Sequence, residues 1–241
     1  MVDLAMTIDS GVRRISIRRP PLNVLTMAAM DSLASALGEI GERDRLVVLE
    51  GGRHFCAGAD VGEHLPPKGA AMLDAFDRLF ETLVAVPVPT LAVVRGACLG
   101  GGFELALGCD LVLAAHEARF AVPEVRLGVF PPVAAAILPE RIGAARAKDL
   151  LFSGREIDGR TAADWGLISR AVADSALDAA AEVWIRELGA LSPEALRACK
   201  AAVRGRSLAR AGEVYRTRTL DSADGREGLT AFLEKRRPVW G

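Results

Sequence analysis

Thr90-Leu-Ala-Val-Val-Arg-Gly-Ala-Cys-Leu-Gly-Gly-Gly-Phe-Glu-Leu-Ala-Leu107 decides the fold class. After Pro87 and Pro89, the run from Thr90 to Gly96 is apolar and β-branched, the composition of a strand buried on both faces. Gly100-Gly101-Gly102 ends it, and Phe103 to Leu107 reads as a helix. The unit is therefore buried strand, glycine turn, helix.

The same unit recurs outward in both directions. Upstream, Arg45 to Glu50 is a buried-type strand that runs into Gly51-Gly52, and Met72 to Val84 reads as helix. Further upstream, Val12 to Arg18 alternates as a half-buried strand until Pro20-Pro21 stops it. Thr26 to Ile40 then places Met27, Met30, Leu33, Leu37 and Ile40 on one helical face before Gly41. Downstream, Asp110 to Ala115 and Arg119 to Val122 read as two further strands, and from Asp174 onward the pattern is helical. Strands alternating with helices through glycine-rich turns predict an α/β architecture with crossover connections.

Composition bounds the function. With 241 residues, the chain can bury a full core without disulfides or metal. Aromatics make up only 5%, so Ala, Val and Leu must pack it. Thirty basic side chains against thirty-one acidic ones give a net charge of -1, which supplies no global field for nucleic acid or an anionic membrane. No stretch reaches about 18 uncharged apolar residues, and the charged N-terminus lacks a signal-peptide core, so a cytoplasmic protein is expected. Cys56, Cys98, Cys109 and Cys199 form no CxxC pair and read as buried thiols. His54, His64 and His116 have no metal-ligand spacing. His64 has neighbours that make it a pocket residue; the other two read as structural.

Two glycine-bearing turns, Gly100 to Gly102 and Cys56-Ala57-Gly58-Ala59-Asp60, can each present backbone N–H groups to an anion. A nucleotide loop does not fit, because no Gly-Lys-Ser/Thr follows and the GxGxxG spacing is absent. The choice left open is between tight turns and an oxyanion hole, in which N–H groups from two loops converge on one oxygen. Glu104 lies one helical turn beyond Gly101 in an otherwise apolar run. It is either a partner of the helix dipole or a buried working carboxylate. Glu124 is a second carboxylate in an apolar setting. If both face one pocket, like-charge repulsion pushes their pKa values apart, so that one holds a proton while the other accepts one.

These segments resemble the crotonase, or enoyl-CoA hydratase/isomerase, superfamily. Phe55-Cys-Ala-Gly-Ala-Asp60 is similar to its first oxyanion segment, and Gly96 to Ala106 to its second. Phe120-Ala-Val-Pro-Glu124 matches the segment of its second glutamate, and Glu227 to Val239 its C-terminal signature. The resemblance implies a spiral of ββα units at residues 1–187 and a C-terminal helical trimerisation region at 188–241. It implies a homotrimer or dimer of trimers and an acyl-CoA substrate, with no metal and no cofactor beyond the coenzyme A that the substrate carries.

By position, the resemblance makes Glu104 and Glu124 catalytic and the Ala59 and Gly101 amides the oxyanion donors. It sets Ala57 and Asp60 at the adenine end, with Gly58, Val61 and Gly100 completing the substrate-binding set. Phe232 either stacks at that end or packs the last helix, Lys235 with Arg236 either meets the phosphates or lies on a solvated face, and Phe130 with His64 borders the acyl pocket. The stretch Leu127-Gly-Val-Phe-Pro-Pro-Val-Ala-Ala135 departs from ordinary enoyl-CoA hydratases, which carry a glycine-rich run there, and this speaks against a straight-chain enoyl substrate. A pair of glutamates favours hydration over isomerisation. The basic stretch from Arg197 to Arg218 suggests RNA, but only Tyr215 could stack with a base, so a solvated helical face is the expectation.

Overall fold

The fold comes from a computed structural model that describes residues 4–241. The chain begins with a hairpin absent from the sequence reading: β1 (Leu4–Asp9) pairs antiparallel with β2 (Val12–Ile17). Ser10 and Gly11 join them with φ of 50° and 80°, the left-handed pair that matches a two-residue turn to strand twist. Helix α1 (Met27–Gly38) follows, with the Thr26 side chain accepting the Ala29 N–H as its cap. Leu33, Met30 and Leu37 bury its apolar face.

Three turns of one repeating unit come next. In the first, β3 (Leu46–Glu50) leads through a bridge at Cys56 to α2 (Gly69–Ala85). In the second, β4 (Thr90–Val94) leads to β5 (Ala97–Leu99) and α3 (Gly101–Gly108). In the third, β6 (Leu111–Ala115) leads to β7 (Arg119–Ala121), a 3₁₀ turn at Pro123–Leu127 and α4 (Pro132–Ser153). A short β8 (Ile157–Asp158), α5 (Gly159–Asp164) and β9 (Arg170–Val172) complete the sheets.

The large sheet runs β1-β2-β3-β4-β6-β9 and is parallel beyond β2; the small one runs β5-β7-β8, with Cys56 bridged to Cys98 beside it. Each unit thus spends one strand in the large sheet and one strand or bridge at the small sheet before its helix. This is the spiral of ββα units.

The strand expected from Thr90 to Gly96 ends at Val94 in the large sheet, and the next three residues, Ala97–Leu99, which the sequence pattern did not mark as a strand, join the small one. Gly96 turns the corner with φ of 60°, and a Cβ there would lie 2.3 Å from His54 Nδ1. The ring nitrogen of His54 accepts the Ala97 N–H at 3.1 Å, so this histidine is structural, as expected.

Two contacts then place α3. Phe103 and Phe120, both fully buried, pack edge to face with centroids 5.3 Å apart, which draws α3 against β7. At the other end of α3, Arg141 donates to the Leu107 carbonyl at 2.6 Å, satisfying a group that the helix leaves open.

The C-terminal part is helical, as expected: α6 (Leu177–Gly189), α7 (Pro193–Arg204), α8 (Leu208–Arg218) and α9 (Ala223–Leu233). Lys200, expected on a solvated face, is instead buried. Its Nζ lies 2.5 Å from Asp110 Oδ2 and donates to the Val88 carbonyl at 2.7 Å, so α7 is anchored to the segment just beyond α3. Of the four cysteines, Cys56, Cys98 and Cys109 are buried as expected and Cys199 is exposed. Burial pushes the Cys56 and Cys109 thiols up to about 12, which makes them unreactive. Among the described residues, no helix is long and apolar enough to cross a membrane.

Candidate active site

The two glycine turns meet. A Cβ on Gly102 would lie 2.3 Å from the Cys56 carbonyl oxygen, so only glycine lets α3 sit directly on the segment from Cys56 to Asp60. The backbone of this segment is held by Leu25, which donates to the Gly58 carbonyl at 2.9 Å and accepts the Asp60 N–H at 2.8 Å. In such a parallel bridge the groups of the intervening residue face the other way, so the Ala59 N–H points away from Leu25. Gly101 opens α3, and its N–H lies outside the helical ladder. A Cβ built on Gly101 would be 3.5 Å from the Ala59 nitrogen, and one built on Gly58 would be 3.5 Å from the Gly101 nitrogen. Two amide donors from loops about forty residues apart therefore stand side by side.

Both line a cavity of about 580 Å³, within the usual range for small-molecule sites. Its apolar wall comes from Met72, Leu73 and Phe76 of α2 and from Leu127, Val129, Phe130, Pro131 and Pro132. Glu104 and Glu124 both open into it. Glu104 is only 3% exposed, and its Oε1 accepts the Ala134 N–H at 2.9 Å. Burial raises its pKa from 4.5 to about 7; the Ala134 hydrogen bond opposes this, and the like charge of Glu124 adds to it. Glu124 is also raised, first by burial, while its own backbone N–H and, when its ring carries a proton, nearby His64 pull it down. Its Oε2 is buried with no hydrogen-bond partner among the described residues.

Gly100 fits under Glu124. Its φ of 52° suits glycine, and a Cβ there would lie 2.6 Å from Glu124 Oε1. The Gly100 N–H also donates to the Ala121 carbonyl at 2.9 Å, tying the glycine turn to the strand that leads to Glu124.

Of the site residues expected from the sequence, the fold brings Ala57, Gly58, Ala59, Val61, His64, Gly100, Gly101, Glu104, Glu124 and Phe130 to this one cavity. Asp60, Phe232 and Lys235 do not line it. The Asp60 carboxylate caps the 3₁₀ turn by accepting the Glu63 N–H, Phe232 is 82% exposed on α9, and Lys235 follows α9 at φ of 56°. Arg236 is paired with Glu227 and Glu234. The sequence reading missed the Ala134 amide and the α2 wall. A helix N-terminus at Pro132 was the available signal for the amide, because proline suits the first helical position.

The family model described as enoyl-CoA hydratase/isomerase matches residues 7–241. The chain belongs to the enoyl-CoA hydratase/isomerase family. It is 40% identical to the cyclohexa-1,5-dienecarbonyl-CoA hydratase of Thauera aromatica, with 96% of this chain and 93% of that protein covered. Among solved structures, an enoyl-CoA hydratase from Mycobacterium smegmatis superposes with a TM-score of 0.94 at 30% identity, covering 100% of this chain and 99% of that one. An enoyl-CoA hydratase from Bacillus anthracis gives 0.90 at 30% identity, covering 99% and 98%. These likenesses bear out both the crotonase resemblance and the spiral fold.

Proposed function

We propose that this family member adds water across the double bond of an α,β-unsaturated acyl-CoA thioester. The observation that carries the proposal is the pairing, on one cavity, of two backbone amides with a buried and a half-buried glutamate, Glu104 and Glu124, whose pKa values are both raised. The thioester oxygen sits between the Ala59 and Gly101 N–H groups, which stabilise the enolate as charge reaches that oxygen; one such donor is typically worth about 10²–10³ in rate. In the proposed cycle one member of the glutamate pair is protonated and the other ionised. The ionised member takes a proton from water as the oxygen bonds to the β-carbon, and the protonated member delivers its proton to the α-carbon. The thioester itself acidifies the α-position, so the proposal includes no metal and no cofactor beyond the coenzyme A of the substrate.

The acyl group proposed is a cyclic dienoyl ring. Pro131 and Pro132 stiffen the apolar end of the cavity, and the Thauera aromatica relative is named for such a thioester. The isomerase alternative needs only one carboxylate to carry a proton between carbons, and the presence of two favours hydration. Exposed Leu208, Leu229 and Leu233 on the C-terminal helices support assembly as a homotrimer.

The test is turnover of crotonyl-CoA, longer enoyl-CoAs and cyclohexa-1,5-diene-1-carbonyl-CoA, followed by absorbance and product mass. Glu104→Gln and Glu124→Gln should each lower hydration by about 10²–10⁴. Near-normal hydration in either variant would remove that residue from the mechanism, and turnover to a shifted double bond without mass gain would favour the isomerase.

A further inference from the structure

The cavity carries three titratable side chains, and the two glutamates account for only two of them. His64 is the third. It ends the 3₁₀ turn Val61–His64, which hydrogen bonds through Asp60 and Glu63 hold in place. The Asp60 side chain accepts the Glu63 N–H at 3.2 Å, and the Glu63 carboxylate accepts the Met27 N–H at 2.6 Å, fastening the turn to the start of α1. His64 Nδ1 lies 2.8 Å from the Asp60 carbonyl oxygen.

A carbonyl oxygen only accepts, so the proton of the neutral imidazole must sit on Nδ1. The same bond leaves Nε2 as a lone-pair acceptor on a ring whose orientation is set. Glu124 lines the same cavity, and its Oε2 is buried without a hydrogen-bond partner among the described residues. The rest of the lining is glycine and alanine backbone or apolar side chains.

We propose that His64 is a further catalytic residue, whose Nε2 accepts a hydrogen bond from the attacking water. The inference rests on the hydration reading above. A water has two protons: the one facing the ionised glutamate leaves with the broken O–H bond, and the one facing His64 stays. As the C–O bond forms at the β-carbon, the π electrons move toward the thioester and the α-carbon takes its proton from the other glutamate. The retained O–H becomes the product hydroxyl, still bonded to Nε2. His64 gains no proton; its work is to aim the water, and misplacement of a reacting group by about 1 Å costs about 10² in rate.

Asparagine and glutamine separate this role from a structural one. Asn places its amide nitrogen where Nδ1 stands and can hold the Asp60 carbonyl while offering nothing at Nε2; Gln reaches the Nε2 position. His64→Ala and His64→Asn should both lower kcat by about 10–100-fold with KM within twofold, and His64→Gln should recover part of the rate. Crotonyl-CoA and cyclohexa-1,5-diene-1-carbonyl-CoA are the probes, with thermal midpoints measured alongside. If His64→Asn keeps the wild-type rate, or if the losses appear in KM and the thermal midpoint instead of kcat, the residue only ties the turn and the inference falls. Hydration of either probe by the unaltered enzyme, abolished in Glu104→Gln, tests the parent reading separately.

Discussion

Replacing Glu104 by Gln should make the protein more stable while disabling it. Glu104 is buried beside a second carboxylate, so ionising it in the folded chain works against both burial and like charge. Its folded pKa of about 7 stands above the ordinary 4.5. Between those values the folded state binds the proton more readily than the unfolded state, so stability falls as pH rises through that window. At about 1.4 kcal/mol per pH unit, the whole displacement amounts to about 3 kcal/mol, absent below pH 4.5 and fully felt above pH 7.

Gln keeps the shape and can still accept the Ala134 N–H, but it never ionises. Urea unfolding of both proteins from pH 4.5 to 8, at one protein concentration, isolates the effect, because every other titrating group is common to the two. The difference between them should grow with pH and reach about 2–3 kcal/mol in favour of Gln at pH 8. A difference that is flat with pH, or that favours the wild type at pH 8, would refute the claim that Glu104 is held protonated by its surroundings.

Two further outcomes are expected. Gly100→Ala should lower hydration by about 10², because the new methyl displaces the Glu124 carboxylate, and should cost about 1–3 kcal/mol in backbone strain; full activity in steady-state assays would show that the Glu124 position is not critical. Lys200→Ala should destabilise the fold by about 1–2 kcal/mol, since it removes a buried side chain and its pair with Asp110, whose carboxylate is partly exposed and keeps its Thr90 hydrogen bonds, and adding Asp110→Asn should recover part of that loss. Urea midpoints of the single and double variants would expose an additive, uncoupled pair.

Periodicity made the strands at Leu46 and Leu111 and the helices at Met27 and Gly69 legible, because each buries a repeating face of its own residues. Glycine turns followed by Glu104 and Glu124 in apolar settings made the candidate site legible too, because a carboxylate among apolar residues needs a reason. The hairpin strand β1 escaped notice because it is harder to read: Leu4, Met6 and Ile8 alternate with Ala5, Thr7 and Asp9, but most of the strand stays exposed and buries no continuous apolar face. Helix α4 also escaped, because Pro131, Pro132, Pro139 and Gly143 look like breakers in a linear chain, whereas the first two cap the helix and the glycine kinks it.

By itself, then, the order of residues determined the strand, glycine-turn and helix units, the helical C-terminal part and the identity of the chemical groups, all of which depend on neighbours a few positions apart. Tertiary structure alone decided that residues 59 and 101 stand side by side, that Ala134 steadies Glu104, that Lys200 turns inward to Asp110, and that His64 and Glu124 line one cavity. Those relations join segments brought together by crossover strands and close backbone packing, and no local period encodes which distant loops will meet.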